Sequence, residues 1–112
     1  MNLEKESDIQ KAICQYLELV HKQRKFMYFS VPLEGVAKNM MNRFKAMGMK
    51  PGTSDLIIVH DGKAYFVEVK QPSGRLQENQ KDFRQWAFDC GAEYAIVRSV
   101  DDMINALEVW EV

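Results

Sequence analysis

Two acids and a lysine, Asp55, Glu68 and Lys70, sit at the outer ends of two strand-like runs, Asp55 to His60 and Lys63 to Lys70, which are joined by Asp61-Gly62. Asp-Gly between such runs is among the strongest short-range signals for a β-hairpin. A two-residue turn pairs His60 with Lys63 and, by the same register, Asp55 with Glu68. Side chains that face each other in this way have Cβ atoms about 4.5–5.5 Å apart, and like charges at that spacing destabilise a sheet unless something offsets them. A hard divalent cation, Mg²⁺ or Mn²⁺, offsets them best, because carboxylate oxygens are its preferred ligands. Strand alternation puts Lys70 on the same face as Glu68, where its ammonium can orient an attacking water or offset charge developing on a phosphate. Val67 and Val69 point the other way into apolar packing, and the backbone carbonyl of Val69 offers a further metal oxygen. Taken singly, each charge is an ordinary strand-end residue. Together, with Glu68 following the apolar Tyr65-Phe66-Val67, they predict a metal site.

The rest of the chain supplies elements that can hold such a hairpin. Ile9, Ala12, Ile13, Tyr16, Leu17 and Val20 recur at helical spacing, which predicts an amphipathic helix from about Glu4 to Lys25. Phe26 to Val31 is aromatic and β-branched and reads as a strand stopped by Pro32. From about Val36 to Met47 a second helix carries Met40, Met41, Phe44 and Met47 on one side, with Gly48 able to cap it. After the hairpin, Pro72-Ser73-Gly74 breaks the chain. Leu76, Phe83, Ala87 and Cys90 then mark a third helix that ends at Gly91. Tyr94 to Val97 is wholly apolar and reads as a strand internal to the sheet. Ser99 with Asp101 and Asp102 opens a last helix, on which Met103, Ile104 and Leu107 face inward. The order α-β-α-β-β-α-β-α implies a mixed sheet with helices on its faces.

Composition bounds the function classes. At 112 residues, 46% apolar and 28% charged, the chain has the profile of an ordinary globular domain. No stretch is apolar enough to span a bilayer, and the polar N-terminus does not read as a signal peptide. Cys14 and Cys90 lack metal-type spacing and read as buried thiols of a reducing cytoplasm. His21 and His60 lack partners at ligand spacing and read as structural or exposed. The net charge of −1 hides a basic middle: between His21 and Lys50, seven lysines and arginines face the single acid Glu34. That asymmetry suits either a phosphate-facing surface or a solvated face.

Gly52-Thr53-Ser54-Asp55 followed by Glu68-Val69-Lys70 resembles the PD-(D/E)xK nuclease superfamily, and more closely the VRR-NUC (virus-type replication and repair nuclease) family in its small stand-alone form, common in phage genomes. Glu6 resembles the acid that the family's first helix carries toward the metal. Gln80 resembles the glutamine that begins the helix after the ExK strand. Gly91 to Tyr94 and Val97 to Ser99 are similar to the closing strand and helix. Ser54 departs from the proline of the superfamily's name, which would shape backbone only. The resemblance implies a single nuclease domain over residues 1–112, with an α/β, restriction-endonuclease-like mixed sheet flanked by helices. It implies Asp55 and Glu68 as direct metal ligands, Glu6 as a further ligand, Lys70 as the catalytic lysine, and Gln80 as the residue orienting that lysine or the water.

The implied reaction is metal-assisted hydrolysis of a DNA phosphodiester, with one ion as the simpler count and a second possible about 4 Å away. Lys38, Asn39, Arg43 and Lys45 either contact phosphates, positioning DNA without reading sequence, or solubilise a Met-rich helix. No helix-turn-helix or zinc-finger motif is present, so the expected substrate is chosen by structure, as branched or flapped DNA. The small family members resemble Holliday-junction resolvases, which implies a homodimer; Trp86, Phe88 and Trp110 suit either its interface or the core. A restriction-type enzyme would need a sequence-reading element. The remaining alternatives are a catalytically inactive DNA-binding or assembly module with the same fold, and a nuclease that depends on a replication or recombination partner.

Overall fold

Ile9, Ile13 and Leu17, one helical turn apart, are all buried on one stripe of α1 (Glu6–Arg24), as a 3.6-residue period requires. Lys25 ends that helix in the left-handed conformation, and β1 (Phe26–Ser30) starts at once. The computed structural model describes residues 5–32 and 36–112. Among these follow α2 (Lys38–Ala46), β2 (Leu56–His60), β3 (Lys63–Val69), α3 (Glu78–Asp89), β4 (Glu93–Val97) and α4 (Val100–Trp110). The expected element order is met. Glu4, the expected helix start, lies outside the described residues.

The four strands form one mixed sheet in the order β1-β2-β3-β4, with β1/β2 and β2/β3 antiparallel and β3/β4 parallel. Asp61 and Gly62 both have positive φ, 50° and 76°, the conformation of the tight hairpin turn whose twist matches its strands. The register is the expected one: His60 pairs with Lys63 and Leu56 with Val67. Alternation divides the sheet. Phe26, Leu56, Ile58, Tyr65, Val67, Val69 and Val97 face α1 and α4 and build the core with Ile13, Leu17, Met103 and Leu107. Phe66 and Tyr94 face the opposite side, where Phe83 of α3 packs against both rings at 5.0 and 6.4 Å between centroids. Ser99 caps α4 by accepting from the Asp102 N–H.

Two expectations are corrected. β4 is an edge strand of the sheet rather than an internal one. Its apolarity arises because helices cover both faces: Tyr94 packs under α3, and Val97 joins the core beside Met103. Cys90 is exposed at the end of α3, and Cys14 is only half-buried. The methionines of α2 are not core: the helix has no buried residue, and Met47 lies at its C-cap, 74% exposed. Trp110 is half-buried and packs against the core, its ring 5.0 Å from that of Tyr65, whereas Trp86 and Phe88 project to the surface.

Ile13→Ala, which empties a fully buried position, should lower unfolding free energy by about 2–4 kcal/mol in urea titrations. Leu19→Ala on the exposed face of the same helix should stay within about 0.5 kcal/mol of the parent.

Candidate active site

Asp55 stands immediately before β2 and Glu68 near the end of β3, so the hairpin carries both carboxylates to one end of the sheet. Asp55 Oδ2 accepts from the Val69 N–H at 2.8 Å, which ties this acid to the opposite strand. Its backbone carbonyl accepts from the Val31 N–H, linking it to the end of β1. Ser54, in the position where the superfamily's name has proline, is fully buried and donates to the Leu56 carbonyl at 3.0 Å. The hydroxyl therefore holds the backbone where a proline ring would have shaped it.

Glu68 is 3% exposed. Its Oε2 lies 3.9 Å from Lys70 Nζ and 3.5 Å from Gln80 Nε2, while Oε1 is buried with no hydrogen-bond partner among the described residues. Gln80 cannot turn its amide round at no cost, because its Oε1 accepts from the Gln77 N–H at 2.9 Å in the first turn of α3. The donor end is thereby aimed at Glu68. Gln80 accordingly contacts the acid.

These surroundings push the Glu68 carboxyl up to about 9. Burial is the largest cause, followed by the close approach and the charge of the Asp55 carboxyl; Lys70 acts the other way and Glu6 adds to the rise. The buried Tyr94 hydroxyl, also without a partner among the described residues, is raised by its burial and then by the charge of Glu68. Two acids are thus held together in a poorly solvated place where one must keep its proton unless a cation intervenes. The donor chemistry, two carboxylates and an unpartnered buried oxygen, fits a hard divalent ion completed by water.

A cleft of about 700 Å³ opens onto these groups. Glu6, Gln10 and Lys11 of α1 line one side, Met41 and Lys45 of α2 another, and Gln80 the α3 side. Glu6 therefore reaches the same cavity as Asp55 and Glu68, although no three His, Cys, Asp or Glu side chains form a ready metal cluster among the described residues. Of the four residues expected to contact phosphate, Lys45 lines the cleft; Lys38, Asn39 and Arg43 are exposed on α2. Lys11 is a cleft cation that helical patterning did not single out.

Two further residues position the site. Arg98 Nη1 donates to the carbonyls of Gln71, Pro72 and Gly74 at 2.6, 3.3 and 2.8 Å, fixing the loop that follows Lys70. Gly52 has φ +83°, and a Cβ there would lie 2.1 Å from the Asn79 carbonyl oxygen. The turn before Asp55 and the start of α3 are therefore in direct contact. Neither role has a local sequence signal.

A family model described as the VRR-NUC domain matches residues 4–101. The chain belongs to the VRR-NUC domain family. A solved structure described as a VRR_NUC domain protein superposes with a TM-score of 0.74 at 19% identity, covering 96% of this chain and 88% of its own. A second, described as a VRR_NUC domain, gives 0.62 at 20% identity, covering 92% and 94%. These two likenesses speak for the fold. No curated protein matches the sequence. VRR-NUC membership makes this a nuclease-fold domain with DNA as the implied substrate class, and nucleases of the PD-(D/E)xK type generally depend on a divalent metal.

A raised carboxyl means that the folded protein holds a proton which the unfolded chain releases. The stability Glu68 contributes is therefore complete below about 4.5 and is lost as pH rises toward about 9. In EDTA, the melting temperature of this VRR-NUC domain should fall between about pH 5 and 8.5, and Glu68→Gln should flatten that fall. Gly52→Ala, strained in backbone and crowded against Asn79, should cost more than about 1 kcal/mol in denaturant unfolding.

Proposed function

We propose that this chain is a Mg²⁺- or Mn²⁺-dependent DNA endonuclease that selects branched or flapped DNA by its structure. The observation that carries the reading is the apposition of buried Glu68 and half-buried Asp55 at the mouth of a cleft, with one glutamate oxygen unpartnered among the described residues. Asp55 and Glu68 would hold the ion directly, the Val69 carbonyl would add a backbone oxygen, and Glu6 would reach it from α1. When bound, such an ion lowers the pKa of its water and polarises the scissile phosphoryl group.

The side chains around the ion account for the rest. Lys70, held beside Glu68 and almost wholly buried, would place its ammonium where negative charge grows on the phosphate, in a setting where charges are poorly screened. Gln80 fixes the rotamer of Glu68 from α3, a positioning role. Lys45 and Lys11 face the cleft and would hold the DNA backbone, with Lys38, Asn39 and Arg43 extending the track along α2. Such contacts carry no base readout, which supports selection by structure. A homodimer would supply two such sites for two strands, and the cytoplasm is the compartment the reading implies. A replication or recombination protein would serve as a partner that delivers the branched substrate.

Purified protein with Mg²⁺ or Mn²⁺ should cut flapped or four-way DNA in preference to linear duplex, and EDTA should abolish cutting. Glu68→Gln and Lys70→Ala should each lower kcat by on the order of a hundredfold or more while DNA binding persists. Cutting that survives both substitutions would move the site elsewhere, and binding without cutting on every substrate would mark an inactive or partner-dependent module.

A further inference from the structure

A second groove, of about 580 Å³, lies between the hairpin and α3 on the sheet face opposite the core. Ile57, Phe66, Phe83 and Ala87 line it, and so does Trp86, whose side chain is 52% exposed. The apolar lining and the exposed ring together form a contiguous patch of the kind that marks a binding groove. Two observations indicate its occupant. Thr53 lines both the groove and the catalytic cleft, so the two adjoin at that residue. Lys50, three residues before Thr53, holds its Nζ 6.0 Å from the centre of the Trp86 ring.

We infer that this groove binds unpaired nucleobases of the DNA strand that enters the cleft, with Trp86 as the stacking platform. Every base has a π face, so a tryptophan accepts any of them, and basic residues alongside hold the backbone that joins them. Here the cations and the ring fall in that arrangement: Lys11 and Lys45 stand in the cleft, and Lys50 stands at the ring itself. A strand held by its phosphates in the cleft would turn its bases, if unpaired, into the apolar groove. In a continuous duplex those bases are stacked on their neighbours and cannot enter. The groove thus favours substrates with a single-stranded segment next to the cut. The inference rests on the nuclease reading for the identity of the strand, but the binding it describes needs neither metal nor cutting.

That independence sets the test. Fluorescence anisotropy in EDTA, with a labelled oligo-dT and a labelled duplex of equal length, compares the parent with Trp86→Leu and Trp86→Phe. Trp86→Leu, which keeps apolar bulk but loses the π face, should weaken oligo-dT binding by about tenfold and duplex binding much less. Trp86→Phe should recover most of the loss. Equal losses on both DNAs, or none on either, would overturn the inference. So would sedimentation showing that Trp86→Leu splits a dimer with oligo-dT affinity unchanged, which would give the face to a second copy of the chain. Loss of cutting in Glu68→Gln reads the catalytic proposal separately, because oligo-dT binding does not pass through that residue.

Discussion

A carboxylate sheltered from water beside a second carboxylate is a costly arrangement, and this fold is organised around one. Glu68 is nearly inaccessible, Asp55 abuts it, and the charges that could relieve the pair are only partly in place. Lys70 lies 3.9 Å from one glutamate oxygen and Gln80 3.5 Å, while the other oxygen has no partner among the described residues. An apolar pair of the same shape would suit stability better. Proteins tolerate such local conflict where chemistry needs it and where the surrounding packing is strong enough to hold it. The core beneath the hairpin is of that kind, with Leu56, Ile58, Val67 and Val69 all fully buried.

The division of labour across the sheet follows from the pleat. Alternate residues along β3 and just past it serve different ends: Tyr65, Val67 and Val69 anchor the strand to α1 and α4, while Phe66, Glu68 and, one residue beyond its end, Lys70 are left for the other face. Rigidity on one face thereby fixes direction on the other. Because α3 begins against the Gly52 turn and carries Gln80 in its first turn, the same contact that seats the helix also points the glutamine at the acid.

Much of this was legible in the sequence because it rests on local rules. The Asp-Gly turn, the two-residue period and the Ser99 cap each act over a few residues, and together they place Asp55 against Glu68 and open α4 at its observed start. What was not legible depends on contacts distant in the chain. Arg98 reaches carbonyls 24–27 residues away, and Gly52 meets Asn79; no spacing announces either. The reading of β4 as internal failed because apolarity reports cover on both faces, and two helices supply that cover as well as two strands do. The methionine stripe of α2 was legible as a one-sided pattern, but such a stripe does not say what it packs on, and the helix buries none of its residues.

The tight turn at Asp61-Gly62 also limits how this domain can change over time. Side chains in a strand alternate strictly, so adding or removing one residue in either arm between the bend and the acids would rotate one carboxylate to the far side of the sheet. Length variation among relatives should therefore collect elsewhere, in segments such as 71–77 that lie outside the paired arms. The hairpin acts as a fixed-length ruler whose parity, more than its composition, descendants of this chain must inherit.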